Sequence, residues 1–281
     1  MRKALYSTPE EHRMAIITVS RELAALGDET AREMANILGY RLVDKDALEE
    51  RVHSYGIKAQ KFKKYDERKP SFFATLSQDR DDYLHYLRKA IVAEAENGNC
   101  VIVGRGANLI LKSLPALISV FLSTQNEIRI ERVKSYFHCD DKRAEHIIDG
   151  SDRDRAGFHR SFFDIDWRHP GNYHLSFNTG IFSPTDCAEI VDSFKNRIFT
   201  PGAEAQNRAI LKNMLLEHQI KHGILYDQEL PIRFLEISVS GNIVSLYGAT
   251  NSQAMLDAAV NSARKAAGSD AVIRNEIQIF R

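Results

Sequence analysis

With 281 residues and 38 Lys and Arg against 38 Asp and Glu, the chain carries no net field of either sign, which argues against general attraction to nucleic acid or an anionic membrane and makes any anion site local. Three cysteines, Cys100, Cys139 and Cys187, are odd in number and form no Cys-x-x-Cys pair, which argues against a disulfide framework and points to a reducing compartment such as the cytoplasm. Met1 to Arg13 holds no apolar run of the secretory kind, and the most apolar stretch, Leu109 to Leu122, is broken by Lys112, Ser113 and Pro115, so no transmembrane segment is expected.

In chain order, short apolar runs at Ala15–Val19, Arg41–Val43, Cys100–Val103, Leu117–Leu122 and Tyr173–Phe177 alternate with helical patterns. That alternation predicts an α/β unit with a five-stranded parallel sheet covered by helices. A mostly helical insertion, Asp44 to Asn97, separates the second and third runs, with Tyr83, Tyr86, Leu87, Ala90, Ile91 and Ala93 at roughly helical spacing. A second insertion, Phe137 to Asn172, is dense in Arg and Asp. Thr200-Pro201-Gly202 breaks the helical pattern and sets the expected boundary between a domain over residues 1–200 and a smaller one over 204–281. The latter reads as a helix from about Glu204 to His222, two strands around the turn Ser240-Gly241-Asn242, a helix over Ser252–Ala267 and a strand over Val272–Phe280, a small α+β module. Leu235, Ile237 and Val239 alternate with Glu236, Ser238 and Ser240, which gives one dry and one wet sheet face.

Ile16 to Arg41 reads strand, tight loop, helix, strand, the layout of a phosphate-binding loop, yet Ser20 to Thr30 keeps one glycine, Gly27, and no lysine. Such a loop works when consecutive N–H groups turn inward on a phosphate and a lysine spreads positive charge over it. Leu26 adds a side chain there, and Asp28 and Glu29 add negative charge, which also suits ordinary capping of the helix N-terminus.

The opening Ile17-Thr18-Val19-Ser20-Arg21-Glu22 followed by Leu42-Val43-Asp44-Lys45, the block Cys100 to Asn108 with Gly104-Arg105-Gly106, and the block from Asp152 through Arg155, Phe158, Trp167, Pro170 and Tyr173 to Thr179 together resemble the cytidylate kinase-like family. That family belongs to the P-loop nucleoside monophosphate kinases. The resemblance spans about Ala15 to Ile198 and implies a three-layer P-loop fold, ATP and Mg²⁺ as cofactors, and phosphoryl transfer to a pyrimidine monophosphate, with the degenerate loop implying impaired transfer. It places Ser20, Arg21, Gly27 and Thr30 at the ATP phosphates, with Gly27 where an authentic monophosphate kinase has its lysine. It places Asp44, Lys45, Gly104 and Arg105 at the acceptor, and Arg153, Arg155 and Arg160 in a closing lid. Lys45, Arg21 and the lid arginines would supply the missing positive charge. Authentic CMP kinases carry an aspartate where Gly106 stands, which bears on cytosine recognition. From about Glu204, Ile237 to Gly248 resembles the strand, turn, strand, glycine signature of a BON domain, which implies a protein partner or a phospholipid surface.

Each assignment has a plainer counterpart in the residues. Arg105 is either a phosphate fork at the carboxyl edge of the sheet or a surface arginine between two loop glycines. Asp152-Arg153-Asp154-Arg155 is either lid chemistry or a self-paired charge run. Asp44 either orients Mg²⁺ through water or the acceptor sugar, or caps the next helix. His138, Cys139, Asp140, Asp141 and His146 match no zinc spacing and read as polar lid residues, so no metal site is expected. Trp167 and Tyr173 read as packing at the lid base, and Lys61, Lys63, Lys64, Arg68 and Lys69 beside Phe72 and Phe73 as a solvated face or an anion contact. Two readings of the whole follow: a nucleotide-binding kinase, or a retired kinase domain that senses a nucleotide or holds shape while the C-terminal module engages a partner or membrane. Phosphotransfer to a non-nucleotide acceptor through the same arginines is a third.

Overall fold

The structure, a computed structural model, describes residues 14–55 and 78–280. The basic run Lys61 to Lys69 and its neighbours Phe72 and Phe73 lie outside the described residues. The chain divides between Asn207 and Arg208 into two compact units.

In the first unit, strands β1 (Ile16–Arg21), β2 (Arg41–Val43), β3 (Cys100–Val103), β4 (Leu117–Ser123) and β5 (Leu175–Asn178) form one sheet in the order β2-β3-β1-β4-β5, and every pairing is parallel. The central strands β1, β3 and β4 are buried almost throughout, as expected of continuous Val/Ile/Leu runs covered by helices on both faces. Helix α1 (Gly27–Leu38) lays Ala31, Met34 and Ala35 on the sheet beside Ala188 and Val191 of a later helix over Pro184–Ile198. It stops at Gly39, whose φ of 67° opens the left-handed turn that leads into β2.

The first insertion contributes α2 (Lys45–Ser54) and α3 (Gln78–Glu96). Glu94 of α3 accepts hydrogen bonds from Arg41 Nη1 at 2.8 Å and Arg51 Nε at 2.6 Å, so one carboxylate joins β2, α2 and α3. Burial alone would raise the Glu94 carboxyl, but the two guanidinium groups outweigh it and hold the pKa below its ordinary value. After β3 comes the short α4 (Ala107–Ile110); after β4 come α5 (Asn126–Phe137) and the long α6 (Asp141–Phe163), which fills most of the second insertion. The fifth strand starts at Leu175 rather than Tyr173 because Tyr173 stacks on Phe121 at 4.9 Å and gives its hydroxyl to Trp167 O at 2.6 Å. Trp167 in turn packs edge-on against Phe121 and is buried.

Helix α7 (Pro184–Ile198) opens with a reciprocal capping box between Ser183 and Asp186. The break at Thr200 is real: α8 (Pro201–His222) begins at Pro201, where a missing N–H costs nothing. Asn207, the last residue of the first unit, is tied into that unit. Its buried side chain accepts from Ala116 N at 3.0 Å and donates to Ala116 O and Met14 O, each at 2.9 Å.

The second unit is a three-stranded sheet of β6 (Arg233–Ser240), β7 (Ile243–Thr250) and β8 (Val272–Ile279), antiparallel between β6 and β7 and parallel between β7 and β8, with α9 (Gln253–Ala267) as the crossover. Leu235, Val239, Val244, Leu246, Ala259, Ala263 and Ile277 build its core, so the expected alternation places the Leu235 row on the dry face. Gly241 takes φ 60° in the hairpin turn. A register shift between Arg233 and Glu236 leaves Phe234 at φ 53° and 88 % exposed.

Replacing Asn207 by alanine leaves three buried backbone groups without their partner, and each unsatisfied group costs about 1–3 kcal/mol. Asn207→Ala is expected to lower the unfolding free energy by about 3 kcal/mol in urea titration of the full chain, far outside the roughly 0.5 kcal/mol range of ordinary surface changes.

Candidate functional site

The loops that follow β1, β2, β3 and β5 meet at the carboxyl edge of the first sheet, where α/β folds hold ligands. After β1 the chain turns at Glu22, whose N–H bonds Leu122 O at 3.0 Å, and re-enters helix at Gly27. Between them Ala24 has φ 61° and Leu26 φ 54°, both left-handed and neither glycine. A left-handed L-residue costs about 1–2 kcal/mol, so something outside the loop has to hold it there. For Leu26 the holder is Thr30, buried in α1, which donates to Leu26 O from its hydroxyl at 2.6 Å and its N–H at 2.9 Å. For Ala24 it is α5: Arg129 Nε donates to Leu23 O and Arg132 Nη1 to Ala24 O, each at 2.9 Å. Hydrogen bonds from charged donors contribute about 1.5–3 kcal/mol, enough to outweigh the strain.

Gly27 has no room for a side chain, since an added Cβ would lie 2.2 Å from Arg21 Cγ. Arg21 thus lies across the start of α1, with Nε 3.5 Å from Asp28 Oδ1. Asp28 and Glu29 do not cap the helix. They stand inside its first turn, while the N-cap residue, Leu26, makes no side-chain cap bond; Glu29 instead accepts from Tyr136 Oη at 3.2 Å. Ser20 is buried at the end of β1.

Two carboxylates and two guanidinium groups adjoin this loop. Glu22 and Asp152 lie between Arg129 and Arg168: Arg129 Nη2 to Asp152 at 2.8 Å, Arg168 Nε to Glu22 at 2.8 Å, Arg168 Nη2 to Asp152 at 2.6 Å, and Arg129 Nη1 to Glu22 at 3.8 Å. Arg129 is only 4 % exposed, and a buried guanidinium requires such partners. Asp152 therefore takes Arg129 and Arg168 as partners, across the fold rather than along its own helix. Arg129, Arg132 and Arg168 escape a reading of the sequence. The available signal is the i, i+3 spacing that puts Arg129 and Arg132 on one face of the helix directly after β4.

The second cluster follows β3. Gly104, Arg105 and Gly106 all have positive φ, at 72°, 57° and 68°. Arg105 is 1 % exposed, with Nη1 3.3 Å from Tyr83 Oη and Nη2 3.4 Å from Glu49 Oε1, so it is no surface arginine. Lys45 reaches the same Glu49 oxygen at 3.4 Å, which brings Lys45 and Arg105 to one carboxylate. Asp44 caps α2 by accepting from Ala47 N at 3.0 Å. Among the lid residues, Arg155 is buried and bonds the Ser151 hydroxyl, whereas Arg153 and Arg160 are exposed on other faces of α6. The expected polar lid residues have local tasks: Asp140 caps α6, Asp141 pairs with Lys134 at 2.6 Å, and His138 takes the left-handed end of α5. Among the described residues no group of three or more His, Cys, Asp or Glu could hold a metal ion, and no helix is long and apolar enough to cross a membrane.

Gly106 combines a positive φ with an absent Cβ that would lie 2.5 Å from the Phe163 ring at the end of α6. Gly106→Ala is expected to destabilise the protein by about 2 kcal/mol or more. Adding Phe163→Ala should recover only the clash and leave the strain, which a double-mutant cycle in urea resolves.

The sequence pattern of the cytidylate kinase-like family matches residues 16–181. Among solved structures, an uncharacterized protein from Eubacterium ventriosum ATCC 27560 is 22% identical, covers 66% of this chain and 99% of its own, and superposes with a TM-score of 0.54, which shows the shared fold. Shikimate kinase from Acinetobacter baumannii, solved with shikimate, is 14% identical over 66% of this chain and 95% of its own, with a TM-score of 0.38. A gluconokinase from Sinorhizobium meliloti 1021 is 16% identical over 73% of this chain and 97% of its own, also with a TM-score of 0.38. No curated protein matches the chain. With the family pattern covering more than half its length, on a parallel sheet of the order described, the chain belongs to the cytidylate kinase-like family.

Proposed function

We propose that this chain is a cytoplasmic, ATP-dependent nucleoside monophosphate kinase acting on a pyrimidine monophosphate, slowed by its altered loop. The carrying observation is that Ala24 and Leu26 keep the left-handed backbone of a phosphate loop at the carboxyl end of the central strand although neither is glycine. In this reading the ATP phosphates lie over the N-terminus of α1, where the first-turn N–H groups lack helical partners, flanked by Ser20, Arg21, Gly27 and Thr30. The fit is supported by the pinned loop; the carboxylate of Asp28 opposes it and is partly offset by Arg21.

Mg²⁺, when bound, would supply positive charge that offsets the charge of the transferring group. Asp44 caps α2 through Oδ1, which leaves Oδ2 for a metal-bound water or the acceptor sugar. The acceptor phosphate would be held by Arg105, with Lys45 and the Gly104 turn beside it. Its arrival would compete with Glu49 for both cations. Arg155, with Arg153 and Arg160 on closure of α6, would carry transition-state charge in place of the absent lysine.

A second reading is favoured by one feature of the C-terminal unit. Phe234 is held almost fully exposed in a left-handed conformation, as an anchor for a partner would be. Here the kinase unit senses nucleotide without turnover, and the BON-like module binds a protein or phospholipid surface. Calorimetry with ATP and Mg²⁺, and a coupled assay with CMP, dCMP, UMP and AMP, separate the two. The kinase reading expects ATP binding, turnover with a pyrimidine acceptor, and at least a hundredfold loss in Arg105→Met. ATP binding without turnover on any of the four favours the sensor, and absence of both binding and turnover contradicts each reading.

A further inference from the structure

We propose that Arg132, with Arg129 beside it, is a positioning residue that does for this loop what glycine would otherwise do: it imposes the left-handed backbone at position 24 from outside. Ala24 lies between two rigid peptide planes, and each plane has its carbonyl held by an arginine of α5. Leu23 O, in the plane before the Ala24 Cα, accepts from Arg129 Nε; Ala24 O, in the plane after it, accepts from Arg132 Nη1. The φ and ψ of a residue are the rotations of these two planes about its Cα, so holding both carbonyls fixes the residue. In a trans peptide the N–H points opposite the C=O, so the same bonds turn the N–H groups of Ala24 and Ala25 away from the guanidinium groups, and the Ala25 N–H meets Glu22 O at 3.4 Å, a long turn bond that the arginine bracket reinforces.

The bracket is itself braced. Arg132 Nη2 donates to Thr179 O at 2.7 Å and Nη1 to Thr179 Oγ1 at 3.2 Å, and Thr179 N is tied to Ser123 O at 2.8 Å at the end of β4. Arg129 is fixed by Asp152 and Glu22. A guanidinium fork spans Ala24 and Thr179 at once, which a single ammonium cannot match, so lysine is a poor substitute. Leu26 has its own anchor in Thr30 and does not depend on α5. The conformational part of the proposal stands without the nucleotide reading; only its use in binding rests on it.

The test uses the full chain with Arg132→Met, and Arg132→Lys as a milder variant. In ligand-free protein, NMR couplings that report the sign of φ should show Ala24 leaving the left-handed region in Arg132→Met while Leu26 stays. Amide exchange of residues 23–25 should rise at least about tenfold, with the C-terminal unit unchanged. Calorimetry with ATP and Mg²⁺ should then show about a tenfold weaker affinity in Arg132→Met, most of it recovered by adding Ala24→Gly, since glycine reaches positive φ unaided. The proposal is overturned if Ala24 keeps its φ and its exchange rate without Arg132, or if the affinity loss is the same with alanine or glycine at position 24. Should the unmodified protein bind no ATP, the nucleotide reading fails and the ligand-free measurements alone decide the bracket.

Discussion

The contact on which the site depends is that between the guanidinium groups of α5 and the carbonyls of Leu23 and Ala24. A phosphate loop has to turn its amides inward, and that turn passes through left-handed residues that glycine adopts at little cost. This chain has alanine and leucine at those positions. The conformation survives because it is held by Arg129 and Arg132 on one side and by Thr30 on the other. The loop is therefore coupled to the region around α6: Arg129 is shared with Asp152, and Asp152 with Arg168, which lies beyond the end of α6.

The same pairing governs the charge available for chemistry. A buried guanidinium is stable only with a partner, and each buried arginine of the site has one within the fold: Glu49 and Tyr83 for Arg105, Ser151 for Arg155, Asp152 and Glu22 for Arg129. An incoming phosphate would have to exchange with these partners or share them. Affinity is then the difference between two charge-assisted networks rather than the sum of new contacts. In the proposed kinase reading that exchange is what would slow the site, and it is distinct from the loss of glycine, which the proposed bracket would offset.

The sheet was legible in the sequence because burial on both faces leaves continuous apolar runs, and β3 and β4 fall where those runs lie. The hairpin at Gly241 follows equally from local backbone preference, whereas α8 starts at Pro201, ahead of the helix expected from about Glu204, because proline in the first helical turn loses no hydrogen bond. What could not be read were bonds from side chains to distant carbonyls. A carbonyl has no letter in the sequence, so Arg129 and Arg132 look like the polar face of an ordinary helix, and Asn207 like any helical asparagine. Gly106 shows the converse. Its departure from the CMP kinase pattern reads as a statement about the base, whereas the structure requires it for its φ and for the Phe163 ring.

A crystal structure with a non-hydrolysable ATP analogue and Mg²⁺ would test the central claim most directly. The expected result is positive φ at Ala24 and Leu26, Arg132 still on Ala24 O, and triphosphate oxygens within hydrogen-bond reach of the amides at the start of α1. An Ala24 with negative φ, or a Leu26 side chain filling the space above Gly27 with the nucleotide absent, would contradict it.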